Sequence, residues 1–411
     1  MPLPRSARPA ALLALTLALS ACAQQEGTAA SDRLGTNHGP ASQRFAGAVY
    51  AMTNAPDGNA VVHYGRRADG TLVRLNTYPT GGNGVGSRAV PALTQDSVNP
   101  LNSSDSLKLS PDKRLLFAAN AGSDTVTEFR VNSDFTLTQV DTTPSGGRFP
   151  TSVAAHDRVV YVGHVGYPAG GVPATLNGLR VRGRAGLDPI PGARFTLSEP
   201  ARSTPTEVLL SPDGARLVVS DFSASVLSVF EVDRRGRLGR VPHTPSAGAN
   251  PFGAKFLGRD RLIVTEAAGG ARGASSVSSY RLTEDGGLRT ISAAVPNGRT
   301  AACWLTLTPD GRYAYASNTG DGTVSLYAVG ENGALTLLEG AEVSRPAREG
   351  LPTSGPTDTA ISADGQFFYQ QYGGLGVVGA YRVGPGGHLT PIPGGDGEGL
   401  PALGAQGLAG F

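Results

Sequence analysis

Leu209-Leu-Ser-Pro-Asp-Gly-Ala-Arg-Leu-Val-Val219 places two short apolar runs on either side of a Ser-Pro-Asp-Gly turn. An aspartate side chain bonds the backbone two residues on, and glycine takes positive φ without strain, so the stretch reads as a β-hairpin. The same hairpin recurs at Leu107-Lys-Leu-Ser-Pro-Asp-Lys-Arg-Leu-Leu-Phe-Ala118, Leu307-Thr-Pro-Asp-Gly-Arg-Tyr-Ala-Tyr315 and Ile361-Ser-Ala-Asp-Gly-Gln-Phe-Phe-Tyr369, with weaker copies at 153–162 and 256–265. The turn aspartates Asp112, Asp157, Asp213, Asp260, Asp310 and Asp364 follow one another at 45, 56, 47, 50 and 54 residues. Periods of about 40–50 residues point to the blades of a propeller.

Each hairpin is followed by a tail of two further strands, as in Asp124-Thr-Val-Thr-Glu-Phe-Arg-Val131 and then Phe135-Thr-Leu-Thr-Gln-Val140. The other tails start near Asn59, Gly178, Ser225, Ser276, Thr323 and Val377. Hairpin plus tail makes a four-stranded antiparallel blade. There are seven tails but six complete hairpins, because the first copy opens on Gly47-Ala-Val-Tyr-Ala-Met52 with no strand before it. Gln406-Gly-Leu-Ala-Gly-Phe411 follows the seventh tail where an innermost strand belongs. The expectation is an all-β, seven-bladed β-propeller over 45–411, closed by its C-terminal strand. Fifty-seven glycines and thirty prolines leave no room for long amphipathic helices.

Ahead of this domain, Arg5 and Arg8 precede an apolar run from Ala10 to Ala18 that closes on Leu19-Ser-Ala-Cys22. The run is shorter than the ~20 residues a spanning helix needs, so residues 1–21 read as a cleaved signal peptide. The closing motif resembles the lipobox of bacterial lipoproteins, which implies lipidation of Cys22; the alternative is an ordinary secretory peptide cleaved nearby. Residues 22–44 read as a flexible tether, and the protein as exported and lipid-anchored to the cell envelope. With Cys22 lipidated, only Cys303 remains of the two cysteines, so no intrachain disulfide is expected. Setting aside Arg5 and Arg8 from the 35 basic residues leaves 33 against 33 acidic ones. That balance argues against a nucleic-acid partner, and contact with a membrane is expected through the anchor alone.

The Ser-Pro-Asp-Gly hairpins, the Asn-x-x-x-x-Thr-Val-Ser tails and the ending Gly399-Leu-Pro-Ala-Leu-Gly-Ala-Gln-Gly-Leu408 resemble the lactonase-type propellers. These include bacterial 6-phosphogluconolactonase and fungal carboxymuconate cyclase. The resemblance implies a substrate site at one channel mouth, lined by innermost-strand starts and second-strand ends. By register the starts are Asp105, Thr151, Thr206, Glu207, Phe252, Cys303, Trp304, Thr357 and Asp358. The second-strand ends are Asn54, Asn120, His164, Asp221, Glu266, Asn318 and Gln371. Glu266, in Val264-Thr-Glu-Ala-Ala268, matches the glutamate of the cyclase branch.

A partly desolvated Glu266 could serve as general base or acid; its alternative is a strand-end carboxylate paired with an arginine. Asp221 and Glu207 fall in one repeat, and two nearby carboxylates could share a proton or bind a divalent cation. His164 could act as a base, or be a solvated loop histidine. Arg299 could hold a substrate carboxylate, with Asn120, Asn318, Trp304, Asp358 and Gln371 completing the substrate contacts. No zinc spacing, phosphate-binding loop or Gly-x-Ser-x-Gly turn is present, so no cofactor is expected. Two functions remain open. One is a hydrolase or isomerase of an unphosphorylated lactone or cyclic ester, and the other a non-catalytic binding propeller. A monomer is expected in either case.

Overall fold

At the Ser211-Pro-Asp-Gly214 turn, Asp213 Oδ1 accepts a 2.7 Å hydrogen bond from Ser211 Oγ and a 3.1 Å bond from the Ala215 amide. Asp112, Asp310 and Asp364 are bonded in the same way, so each acid is spent on its own turn. Gly214, at φ 68°, occupies the left-handed region that the turn needs. The computed structural model describes residues 45–88, 96–167, 170–183, 186–197, 203–239 and 243–411. The expected signal peptide over 1–21, the expected lipidation at Cys22 and the expected tether over 22–44 lie outside the described residues.

The hairpins and tails build seven four-stranded antiparallel sheets. In the second blade the strands run, from the axis outward, Leu107–Leu109, Leu115–Asn120, Thr125–Val131 and Leu137–Pro144. The other innermost strands are Pro150–His156, Pro205–Leu210, Pro251–Leu257, Ala302–Leu307 and Pro356–Ile361 in the third to seventh blades. In the first blade that place is taken by Leu408–Gly410, paired with Gly47–Met52 in the register Val49 to Gly410 and Ala51 to Leu408. Each innermost strand packs beside the next around the axis, so the ring is continuous. Closure leaves no open blade edge between first and last repeats.

Strand alternation fills the seams. On Leu115–Asn120, Leu116 and Ala118 pack with Tyr50 and Met52 of the first blade, while Phe117 and Ala119 pack with Val153 and Val162 of the third. Every blade is thus glued on both faces. Among the described residues no helix is long and apolar enough to cross a membrane.

Candidate functional site

Polar residues on the innermost strands meet in the channel. Lys255, from the fifth blade, places its Nζ 2.7 Å from Glu207 Oε1 of the fourth and 3.2 Å from Asp105 Oδ2 of the second. Lys108 bonds the same Asp105 oxygen. Glu207 Oε2 accepts the Ala254 amide at 2.5 Å, and Asp358 Oδ2 accepts the Gly407 amide at 3.1 Å. Asp105 and Glu207 therefore share two ammonium groups, with the Asp358 carboxyl close enough to feel the charge on Asp105. Burial pushes Asp105 up, but the Lys108 and Lys255 ammoniums outweigh it and hold this carboxyl well below the usual range. Glu207 is raised by burial and by the charge on Asp105, against the pull of Lys255. Burial and then Asp105 raise Asp358 to about 7. The cluster thus keeps a proton near neutral pH, as coupled buried acids do.

A cavity of about 320 Å³ lies over this cluster, among the later halves of the innermost strands. Asp105, Lys108 and Lys255 face it, and Leu109, Phe256, Leu307 and Ile361 surround them. The Lys255 side chain is 25% exposed whereas Glu207 is fully buried behind it. At the strand-start end, the chain from Leu101 to Asp105 crosses between blades. Leu101 N donates to Gln406 Oε1, Ser103 Oγ to the Thr151 carbonyl, and Ser104 N to the Thr206 carbonyl. The described cavity is accordingly at the hairpin-turn end of the channel, opposite the mouth expected from sequence.

The second-strand ends do something else. Asn120 donates to Thr125 and Thr127 of its own third strand and accepts Asn59 of the preceding blade. Asn318 repeats the pattern with Thr323, Ser325 and Asn297. Glu266 sits at the same register, where its buried carboxylate accepts Ser276, Ser278, Ser246, the Gly248 amide and Tyr280. These side chains turn sideways into the seam and staple neighbouring blades, and the Glu266 oxygens are fully engaged there. His164 is buried, with Nδ1 3.3 Å from the Thr175 carbonyl and Nε2 unpartnered, and burial lowers its pKa to about 4. Asp221 accepts the Thr204 and Ala224 amides, capping a turn; it shares no hydrogen bond with Glu207.

Gln371 departs from its assigned place. Pro356 pairs with Tyr372, as Pro251 pairs with Glu266 and Ala302 with Asn318, so the true strand-end residue is Tyr372 and Gln371 faces the other way. Arg299 also leaves the channel, since its Nε donates to the Gly340 carbonyl at 3.2 Å. Trp304 is buried against Phe252, ring centroids 5.0 Å apart, in a cluster with Cys303, whose thiol burial pushes up to about 12. Of the residues assigned from sequence, Asp105, Glu207 and Asp358 meet in the channel cluster. Lys108 and Lys255, which complete it, were missed. Their signal was a lysine at an inward position of an innermost strand. Among the described residues, no group of three or more His, Cys, Asp or Glu side chains is arranged to hold a metal ion.

Comparison with known proteins agrees with this architecture. Residues 58–165 match the family model of the lactonase seven-bladed β-propellers. Over 67% of the chain, a 6-phosphogluconolactonase of Serratia proteamaculans is 24% identical, with 80% of that protein covered. The lactonase-like fold extends to solved structures. A periplasmic gluconolactonase of Pseudomonas aeruginosa superposes with a TM-score of 0.64 at 19% identity, over 89% of this chain and 99% of that one. A protein from Lactobacillus plantarum gives 0.66 at 18% identity with the same coverage. At such identities the structures share the fold, and chemistry has to be argued from the site.

Proposed function

We propose that this lactonase-like propeller hydrolyses a lactone in the central channel. The observation that carries the reading is Asp105, Lys108 and Lys255 facing a cavity in a lactonase-type scaffold, with the Glu207 and Asp358 carboxyls buried behind them. A water held at Asp105 attacks the lactone carbonyl carbon, and its proton enters the carboxylate cluster, where Asp358 and Glu207 have the affinity to hold it. The Lys108 and Lys255 ammoniums face the developing oxyanion. The acyl–oxygen bond then breaks, and the proton returns to the ring oxygen, leaving a hydroxy acid.

An unphosphorylated sugar or aromatic lactone fits best. Lys255 is already paired with Asp105 and Glu207, and Lys108 with Asp105, so neither ammonium stands uncompensated for a phosphoryl group. The signal peptide and lipobox support the same choice, because a lipid-anchored envelope protein would not meet a phosphorylated cytosolic metabolite. Base-uptake assays on a panel including glucono-δ-lactone and its 6-phosphate test the proposal. Turnover of the neutral lactone should fall at least 100-fold in Lys255→Met and Glu207→Gln, and stay within a few-fold in Glu266→Gln. Turnover insensitive to both channel variants, or absent on every lactone, would refute it.

A further inference from the structure

Away from the channel, a cavity of about 770 Å³ opens in the seam between the second and third blades, on the hairpin-turn side. One of its lining residues is out of keeping with the seam. Glu128 lies on Thr125–Val131, on the same strand face as Val126, which packs among Leu179, Val181 and Leu187 of the third blade. Glu128 is 1% exposed, and neither carboxylate oxygen has a hydrogen-bond partner. The residue opposite it on the fourth strand is Asp141, a like charge. The nearest compensating charge is Arg130, on the same strand and itself exposed at the cavity rim.

This is a costly arrangement. A carboxyl group removed from water without a partner is destabilising whether it stays ionised or takes up a proton. Glu266, at comparable burial in another seam, is surrounded by donors. Glu128 instead lines the cavity with both oxygens unpartnered. The cavity walls are apolar near it, with Leu115, Val181 and the edge-to-face pair Phe135 and Phe411, 5.4 Å between centroids. The rim is cationic on balance, with Lys113, Arg114, Arg130 and Arg158 against Asp112 and Asp157.

We infer that this seam is a second binding site, for a small zwitterion with an ammonium at one end, an apolar middle and a carboxylate at the other. The ammonium supplies the N–H donors that Glu128 lacks, the apolar middle lies on the aromatic and aliphatic wall, and the carboxylate meets the rim guanidiniums. A simple anion would be repelled at the floor and a simple cation at the rim, so both ends are needed. The site is separate from the channel, and its test is independent of lactone turnover.

The probe is 6-aminohexanoate, titrated calorimetrically into the full chain, with hexanoate and hexylammonium as the single-ended controls. The zwitterion should bind at least tenfold more tightly than either control. Glu128→Gln should weaken it at least tenfold while leaving thermal stability unchanged or higher, since the substitution removes an uncompensated charge at constant shape. Arg158→Ala should weaken the zwitterion and leave hexylammonium unchanged or bound more tightly. Equal binding of hexanoate, undiminished binding by Glu128→Gln, or no binding of 6-aminohexanoate would overturn the assignment.

Discussion

His63 is fully buried between the rings of Tyr50, 5.2 Å away, and Tyr78, 6.4 Å away, and neither ring nitrogen has a hydrogen-bond partner. Burial lowers its pKa from 6.5 to about 4, against a small opposite pull from Asp134. The unfolded chain therefore binds a proton between pH 6.5 and 4 that the folded ring refuses. The stability this histidine contributes is complete above 6.5 and is lost as pH falls through 4, amounting to about 3 kcal/mol. His164 has the same direction and range. His63→Phe, which keeps an aromatic ring between the tyrosines, should lose less stability than wild type when the urea midpoint is followed from pH 7 to pH 4. Parallel curves would show that His63 takes up its proton alike in the folded and unfolded chains, and would contradict the assignment. At this scale the sequence was legible where a residue serves its own neighbours, as the turn aspartates do. It was not legible where partners come from another blade, as for Glu266, whose donors Ser246 and Gly248 lie in the connection from the fourth blade.

Among the strands, the first and last of the described chain depend on each other. Leu408–Gly410 pairs with Gly47–Met52, Leu408 packs with Ala360 and Phe367, and Gln406 holds Leu101 and Ser103 across the channel end. Gly407 also donates to Asp358, which links closure to the channel cluster. A chain ending at Ala405 should melt at least 10 °C lower than the full chain or fail to fold; an unchanged melting temperature would contradict closure by this strand. The pairing was readable because the seventh tail left one strand over and the first hairpin lacked one. Harder to read was the face each strand shows. In Leu107-Lys-Leu109 the lysine looks like the solvent side of an amphipathic strand, and only its place next to the axis turns that polar face into a channel wall. The slip from Tyr372 to Gln371 has the same origin, since a one-residue error in an alternating strand reverses the face assigned.

Over the whole molecule, the repeat determines architecture and leaves chemistry to a few positions. The Ser-Pro-Asp-Gly turns and Asn-x-x-x-x-Thr tails are the parts most visible in sequence, and in the structure they serve hairpin turns and seam staples. The channel cluster draws one or two side chains from each of four blades that are scattered from Asp105 to Asp358, so no local motif announces it. In the proposed hydrolysis that cluster holds the reaction's proton. The most direct test is the pH dependence of kcat on the best lactone substrate, compared between wild type and Asp358→Asn. With Asp358 titrating at about 7, wild-type kcat should rise through an acid limb near that pH, and the variant should be slower with the limb abolished or displaced. Superimposable profiles at equal rates would contradict it.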